Sequence, residues 1–169
     1  MNELIYNDWY YNRHVSGSSY PWCVTFVCWC ANEVGVLGSL IPKTASSSTM
    51  YRWFKTNTSI TMKPKRGDIG FLKGTTTPAS HTFIVYEVNG DKMTTIEGNI
   101  DNKVVKQTRH ISDNDILGFG VVGGGVIGLE MASYFNSVGS KVYVVEMMNK
   151  IAGPVDSEIS TMLQKDYAA

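Results

Sequence analysis

The sequence predicts an α+β protein in which a helical N-terminal part precedes antiparallel strands and a partial β-α-β unit closes the chain. Three observations predict it. An apolar run at helical spacing follows Pro21, two β-branched and aromatic runs flank a turn at "NGD", and a glycine-rich turn joins a strand to an amphipathic stretch near the end. Helices first and strands afterwards is the order of α+β architecture rather than of alternating α/β units.

The chain has 169 residues, 43% of them hydrophobic, enough for one domain with a real core plus at most a fragment. Its 15 basic and 15 acidic side chains cancel, so no net field draws it to nucleic acid or an anionic membrane, and neither is an expected partner. The opening "MNELIYNDWYYNRH" holds acidic residues and no apolar core of signal-peptide length, and no stretch is long enough to span a bilayer. A soluble monomer without a signal peptide is expected.

In "SSYPWCVTFVCWCANEVGVLG", Pro21 suits a first helical turn, and Phe26, Trp29 and Cys30 recur three and four apart. Gly35 or Gly38 can close the helix. The cysteines Cys23, Cys28 and Cys30 are odd in number and too close together for a disulfide framework, so at least one thiol is expected free. Their C-x4-C-x-C spacing matches no usual zinc site, and no metal is expected. Cys28 and Cys30 read as small hydrophobes of a buried helix. Cys23 differs, because a thiol in the first turn sits beside unpaired backbone N–H groups and the positive end of the helix dipole, which favour thiolate.

A nucleophilic cysteine needs a base, and the base needs a group to orient it. His14 and His110 stand in polar surroundings and read as solvated. His81 opens "HTFIVYEV", which runs through "NGD" into "KMTTIEGNI", a hairpin with His81 at the far end of one strand and Glu97 at the far end of the other. A two-residue loop at Asn89 and Gly90 would set His81 opposite Gly98 and send Glu97 through the other face. A three-residue loop, Asn89 to Asp91, sets His81 opposite Asn99 and on the face of Glu97, and this register is expected. Taken alone, Glu97 reads as a solvated strand-end carboxylate. Elsewhere "KPKRGDIGFLKG" reads as a turn and a short strand, "PKTASSSTMYRWFK" as a loop leading into a short helix, and "DNDILGFG" as a last strand.

Through "YPWCVTFVCWCANEVGV", "PKRGDIGFL", "SHTFIVYEV" and "TIEGN", residues 5–120 resemble the CHAP domain, the cysteine- and histidine-dependent amidohydrolase/peptidase family. The resemblance implies a papain-like fold with Cys23 as nucleophile, His81 as general base, Glu97 as the group orienting His81, and Asn99 as a candidate fourth member. It implies bacterial peptidoglycan as substrate, cut as an amidase or endopeptidase at the cell wall, without a cofactor. Two positions depart from the family pattern. Phe83 stands where glycine is most usual, which is expected to crowd the groove beside the base, and Cys28 stands where serine is commoner. The acidic cluster with which some relatives bind calcium ahead of the cysteine is absent, so no calcium is expected.

The closing stretch "FGVVGGGVIGLEMASYFNSVGSKVYVVEMMNKIAG" reads as strand, glycine turn, helix and strand. Gly123, Gly125 and Gly128 form G-x-G-x-x-G, and Glu146 ends the second strand where a ribose hydroxyl would be met. The stretch resembles the nicotinamide-binding segment of dihydrolipoamide dehydrogenase and related flavoprotein disulfide reductases. The flavin segment and further parallel strands of that family are missing, and the C-x4-C of Cys23 and Cys28 lacks the glycine-rich surroundings of the reductase pair. A single β-α-β unit cannot cover both faces of its own strands. Two domains are therefore expected, 1–120 and 121–169, the second a fragment with a vestigial NAD or FAD site and no cofactor. The competing readings are an oxidoreductase or nucleotide-binding module, and a catalytically inert wall-binding protein.

Overall fold

Residues 5–122 are described by the computed structural model, so the expected β-α-β unit with Gly123, Gly125, Gly128 and Glu146 lies outside the described residues. The chain divides into two units after Val121, and the first holds every described helix and strand. Three helices come first: α1 (Ile5–Tyr11), α2 (Cys23–Glu33) and α3 (Ser47–Asn57). Six strands follow: β1 (Ile60–Thr61), β2 (Ile69–Lys73), β3 (Ala79–Asn89), β4 (Lys92–Ile100), β5 (Lys103–His110) and β6 (Ile116–Gly120). They form one antiparallel sheet in the order β1-β6-β2-β3-β4-β5. The fold is α+β, with α1, β1 and β5 beyond what the sequence pattern had picked out.

Helix α2 starts later than Pro21 suggests. Its first intrahelical bond runs from the Phe26 N–H to the Trp22 carbonyl, which makes Trp22 the N-cap and leaves Pro21 outside. Its end is closed by Gly35, which takes φ +75° so that its N–H reaches the Asn32 carbonyl while the Val36 N–H reaches that of Ala31. That pair of bonds satisfies carbonyls the last turn would leave bare. Buried Asn7 ties α1 to this region, donating to the Tyr20 carbonyl at 2.8 Å and accepting from the Thr25 hydroxyl at 2.7 Å.

The sheet is buried on both faces. On one, the rings of Tyr51 and Phe54 from α3 pack against Phe71, and Phe26 of α2 lies against Gly98. A Cβ at Gly98 would stand 2.7 Å from that of Phe26, so the helix and strand approach this closely only over glycine. The other face carries a cluster of Phe83, Val85, Met93, Ile116 and Phe119, with Leu72, Val88 and Ile111 packed on it. Among the described residues, no helix side chain belongs to that cluster. Phe83 is fully buried there, its ring 6.3 Å from that of Phe119 and 6.4 Å from that of His81.

The hairpin between β3 and β4 follows neither anticipated loop. Asn89 pairs with Lys92 across a two-residue turn of Gly90 and Asp91, with Gly90 at φ +60°. Continued unchanged, that register would put His81 and Glu97 on opposite faces. A bulge at Tyr86, where pairing passes from Glu87↔Thr94 to Val85↔Thr95, shifts it by one residue. His81 and Glu97 thus share a face as expected, by a bulge in the strand rather than a third residue in the loop.

Candidate active site

Three elements converge on Cys23. As the first residue of α2 it follows an N-cap, Trp22, whose side chain makes no capping bond, so the first-turn N–H groups keep their donors free of a side-chain cap. Trp22 is held from elsewhere: its ring stacks on Tyr6 at 5.3 Å, and its indole N–H donates to Asn102 Oδ1 at 3.0 Å. The second element is α3, whose opening serines have separate contacts. Ser46 caps the helix by accepting from the Thr49 N–H at 3.3 Å. Ser47 Oγ lies 3.9 Å from the Cys23 sulfur. Ser48 bonds both the N–H and the carbonyl of Ala79 at 3.0 Å, pinning the start of β3 two positions before His81.

The third element is the β3–β4 ribbon. The His81 imidazole and the Thr82 backbone N–H stand close enough to the Cys23 sulfur to favour its thiolate. On its other side His81 Nε2 lies 2.9 Å from Glu97 Oε2. With Nε2 committed to the carboxylate, Nδ1 is the ring nitrogen left for sulfur. Glu97 is fully buried, not the solvated strand-end group that its place in the sequence suggests. Besides His81 it accepts from Arg109 Nε at 2.6 Å, Arg109 Nη2 at 2.9 Å and the Thr95 hydroxyl at 2.5 Å. Four charge-assisted bonds satisfy a carboxylate that burial alone would neutralise.

The electrostatics follow from these contacts. Burial pushes the Cys23 thiol up, but the hydrogen bond and charge of His81, then Ser47 and the Thr82 N–H, bring it below the ordinary thiol value. Burial would lower His81, yet its bonds to Cys23 and Glu97 raise it to about 9. Burial likewise pushes Glu97 up, and the bonds from Arg109, His81 and Thr95 hold it well below the usual carboxylate range. The shifts all favour the thiolate–imidazolium form of the pair beside an ionised acid.

The other cysteines are of a different kind. All three are free, and Cys28 donates to the carbonyls of Pro42 and Thr44 at 3.4 and 3.2 Å. Burial raises both Cys28 and Cys30, the latter to about 11, so neither is an activated thiol.

A cleft of about 330 Å³ opens beside Trp22, the residue preceding Cys23, and is lined by Ser18, Tyr20, Asn99 and Asn102 among others, with no acidic or basic side chain in its lining. Asn99 sits in a left-handed conformation at φ +66° on the cleft wall and makes no hydrogen bond to His81. Of the four residues singled out, His81 and Glu97 are directly hydrogen-bonded, Cys23 lies beside His81, and Asn99 borders the cleft. Arg109, Ser47 and Thr95 escaped sequence reasoning. The alternation in "KVVKQTRH" was the available sign that Arg109 lies on a strand beside Glu97. Among the described residues no cluster of three or more His, Cys, Asp or Glu side chains is placed to hold a metal ion, and no helix is long and apolar enough to cross a membrane.

Residues 15–99 match the CHAP domain, and residues 119–169 match the pyridine nucleotide-disulphide oxidoreductase family. Curated relatives include the dihydrolipoamide dehydrogenase of Chaetomium thermophilum, 35% identical over 60% of this chain and 24% of that protein. The dihydrolipoyl dehydrogenase of Acholeplasma laidlawii is 51% identical over 27% of this chain and 13% of its own length. The chain thus spans about a quarter or less of these relatives. Among solved structures, the crystal structure of Ly7917 aligns with a TM-score of 0.46 at 16% identity over 57% of this chain and 51% of that one, too loose a likeness to bear on the fold.

Proposed function

This chain belongs to the CHAP domain family, and from that premise we propose that it is a cysteine peptidoglycan hydrolase, cutting amide or peptide bonds of the bacterial cell wall with Cys23 as nucleophile. The observation that carries the reading is the alignment of Cys23, first residue of a helix, with the neighbouring His81 imidazole, whose Nε2 lies 2.9 Å from the carboxylate of buried Glu97.

The Cys23 thiolate attacks the scissile carbonyl carbon, and the oxyanion that forms takes hydrogen bonds from backbone N–H groups of the first turn of α2, which lack a side-chain cap. His81 passes its proton to the leaving amine as the C–N bond breaks, leaving a thioester on Cys23. The now neutral imidazole takes a proton from water, the hydroxide attacks the thioester, and the carboxylic acid departs as Cys23 leaves as thiolate. Glu97 stays ionised throughout and keeps the ring turned toward sulfur. The uncharged cleft beside Trp22, with the Asn99 carboxamide on its wall, receives the neutral amide-rich part of the substrate. In this reading residues 1–120 form a hydrolytic domain of papain-like arrangement. Residues 121–169 are a partial dinucleotide-binding fragment whose Gly123, Gly125, Gly128 and Glu146 are vestigial.

An oxidoreductase reading has the match over 119–169 in its favour. Against it, Cys23 and Cys28 are unbonded, and Cys28 is engaged with backbone carbonyls. The deciding test is mass spectrometry of products from purified cell walls. The full chain should release peptide fragments with new amine ends, and Cys23→Ala and His81→Ala should release none. Hydrolysis by either folded variant, or intact walls with the wild type, removes the proposal. Micromolar NADH binding would favour the second reading.

A further inference from the structure

Among the charged groups of the described residues, Arg109 is the cation that bonds the buried carboxylate behind His81. We propose that Arg109 is a positioning residue of this site, its guanidinium forked onto both oxygens of Glu97 so that the acid keeps one rotamer and its charge opposite His81. The inference rests on the hydrolase reading for its meaning, and its test is arranged so that the two can fail separately.

The geometry sets the terms. Glu97 has no exposed side-chain surface, and a carboxylate so placed is tolerated only when paired and fully bonded. A single imidazolium does not fix it, because a carboxylate and a histidine can share the proton between them. Arginine cannot release a proton at any working pH, and its planar fork matches a carboxylate in two parallel bonds. Nε at 2.6 Å and Nη2 at 2.9 Å hold Oε1 and Oε2 respectively, which leaves Oε2 pointed at His81 Nε2.

Arg109 is itself held on two sides. Its guanidinium carbon lies 5.3 Å above the Phe83 ring, and Nη1 is 3.9 Å from Asp115 Oδ2. Strand β5 puts it on the face of Glu97, since Arg109 pairs with Met93 and Val105 pairs with Glu97. The groups facing this cluster are Cys23 from α2, His81 from β3, Thr95 from β4, and Asp113 and Asp115 from the segment before β6.

A purely structural ion pair would change stability and leave the titration of Cys23 where it was. A positioning role gives a signed result, because removing a fixed cation raises the affinity of Glu97, His81 and Cys23 alike for protons. The experiment follows iodoacetamide alkylation at the Cys23 peptide by mass spectrometry across pH, beside the pH profile of wall hydrolysis, in the full chain and in Arg109→Gln and Arg109→Lys. Folding of each variant is checked by thermal melting.

Arg109→Gln should move the acid limb of both profiles up by about one pH unit, a loss of about tenfold in rate below that limb. Arg109→Lys keeps the charge and loses the fork, so its limb should stay with the wild type while kcat falls several-fold at unchanged KM. A folded Arg109→Gln with the wild-type limb overturns the proposal, as does Arg109→Lys with full kcat. Should Arg109→Gln not fold, the lysine variant alone decides. Alkylation needs no substrate, so a limb shift in a protein that leaves walls intact would sink the hydrolase reading and keep this one. Wall hydrolysis with an unmoved limb would do the reverse.

Discussion

At Cys23 two opposing effects meet, burial favouring the neutral thiol and the neighbouring imidazolium favouring thiolate, and the imidazolium prevails. The pH dependence follows with a definite sign. Because Cys23 is lowered, its thiolate persists to pH values below the ordinary thiol range, and activity is lost on the acid side only when that sulfur takes a proton. Because His81 is raised to about 9, the proton needed by the leaving amine is kept through neutral pH and lost as pH passes that value. A plateau bounded by these two limbs is expected in kcat/KM for wall hydrolysis. An alkaline limb near the unperturbed histidine value would contradict it. At this scale the sequence was informative where a residue type is rare and its place special, as for a cysteine opening a helix or a histidine opening a strand. It said nothing of Arg109, because one arginine among 15 basic side chains carries no mark until the strand beside it is placed.

Among the elements, α2 and the β3–β4 ribbon decide whether sulfur and imidazole meet, and α2 touches that ribbon at Gly98 of β4. Gly98 allows their contact, since its missing Cβ is the space that Phe26 fills. Gly98→Ala should push the helix away from the strand, costing about 1–3 kcal/mol as overpacking of a filled core does, and should slow hydrolysis more than it lowers the melting temperature suggests for a distant site. Unchanged Tm and rate would show that helix and strand do not meet this closely in solution. The helix and the strand pair were legible because apolar spacing and turn residues mark them. Edge strand β5 was not, because it buries no residue fully and its polar sequence reads as surface. The bulge at Tyr86 was equally hidden. The residue is half-exposed, flanked by Arg66 and Lys106 at 5.1 and 4.2 Å from its ring centroid, and nothing in a β-branched run announces an extra residue.

For the molecule as a whole, the second family match begins at residue 119, yet Phe119 and Gly120 still pair with Gly70 and Ile69 inside the sheet. The first unit is therefore complete only when β6 has ended. A chain stopped after Val122 should fold cooperatively and cut walls at the rate of the full chain, whereas one stopped after Asp115 should not fold. Melting curves and product release on both decide this, and an inactive longer fragment would show that residues 123–169 serve the site.

The placement of β6 between β1 and β2 also orders events on the ribosome. Strands β2 to β5 are neighbours in the sequence in which they are translated, but β1 joins them only through Ile116–Gly120, the last of the described strands to be made. Until that segment emerges, Ile69, Phe71 and Phe54 have no β6 beside them and stand available to chaperones. The nascent polypeptide thus already holds Cys23, His81, Glu97 and Arg109 while its central ladder is still open, and the first unit closes only once Ile116–Gly120 has left the exit tunnel.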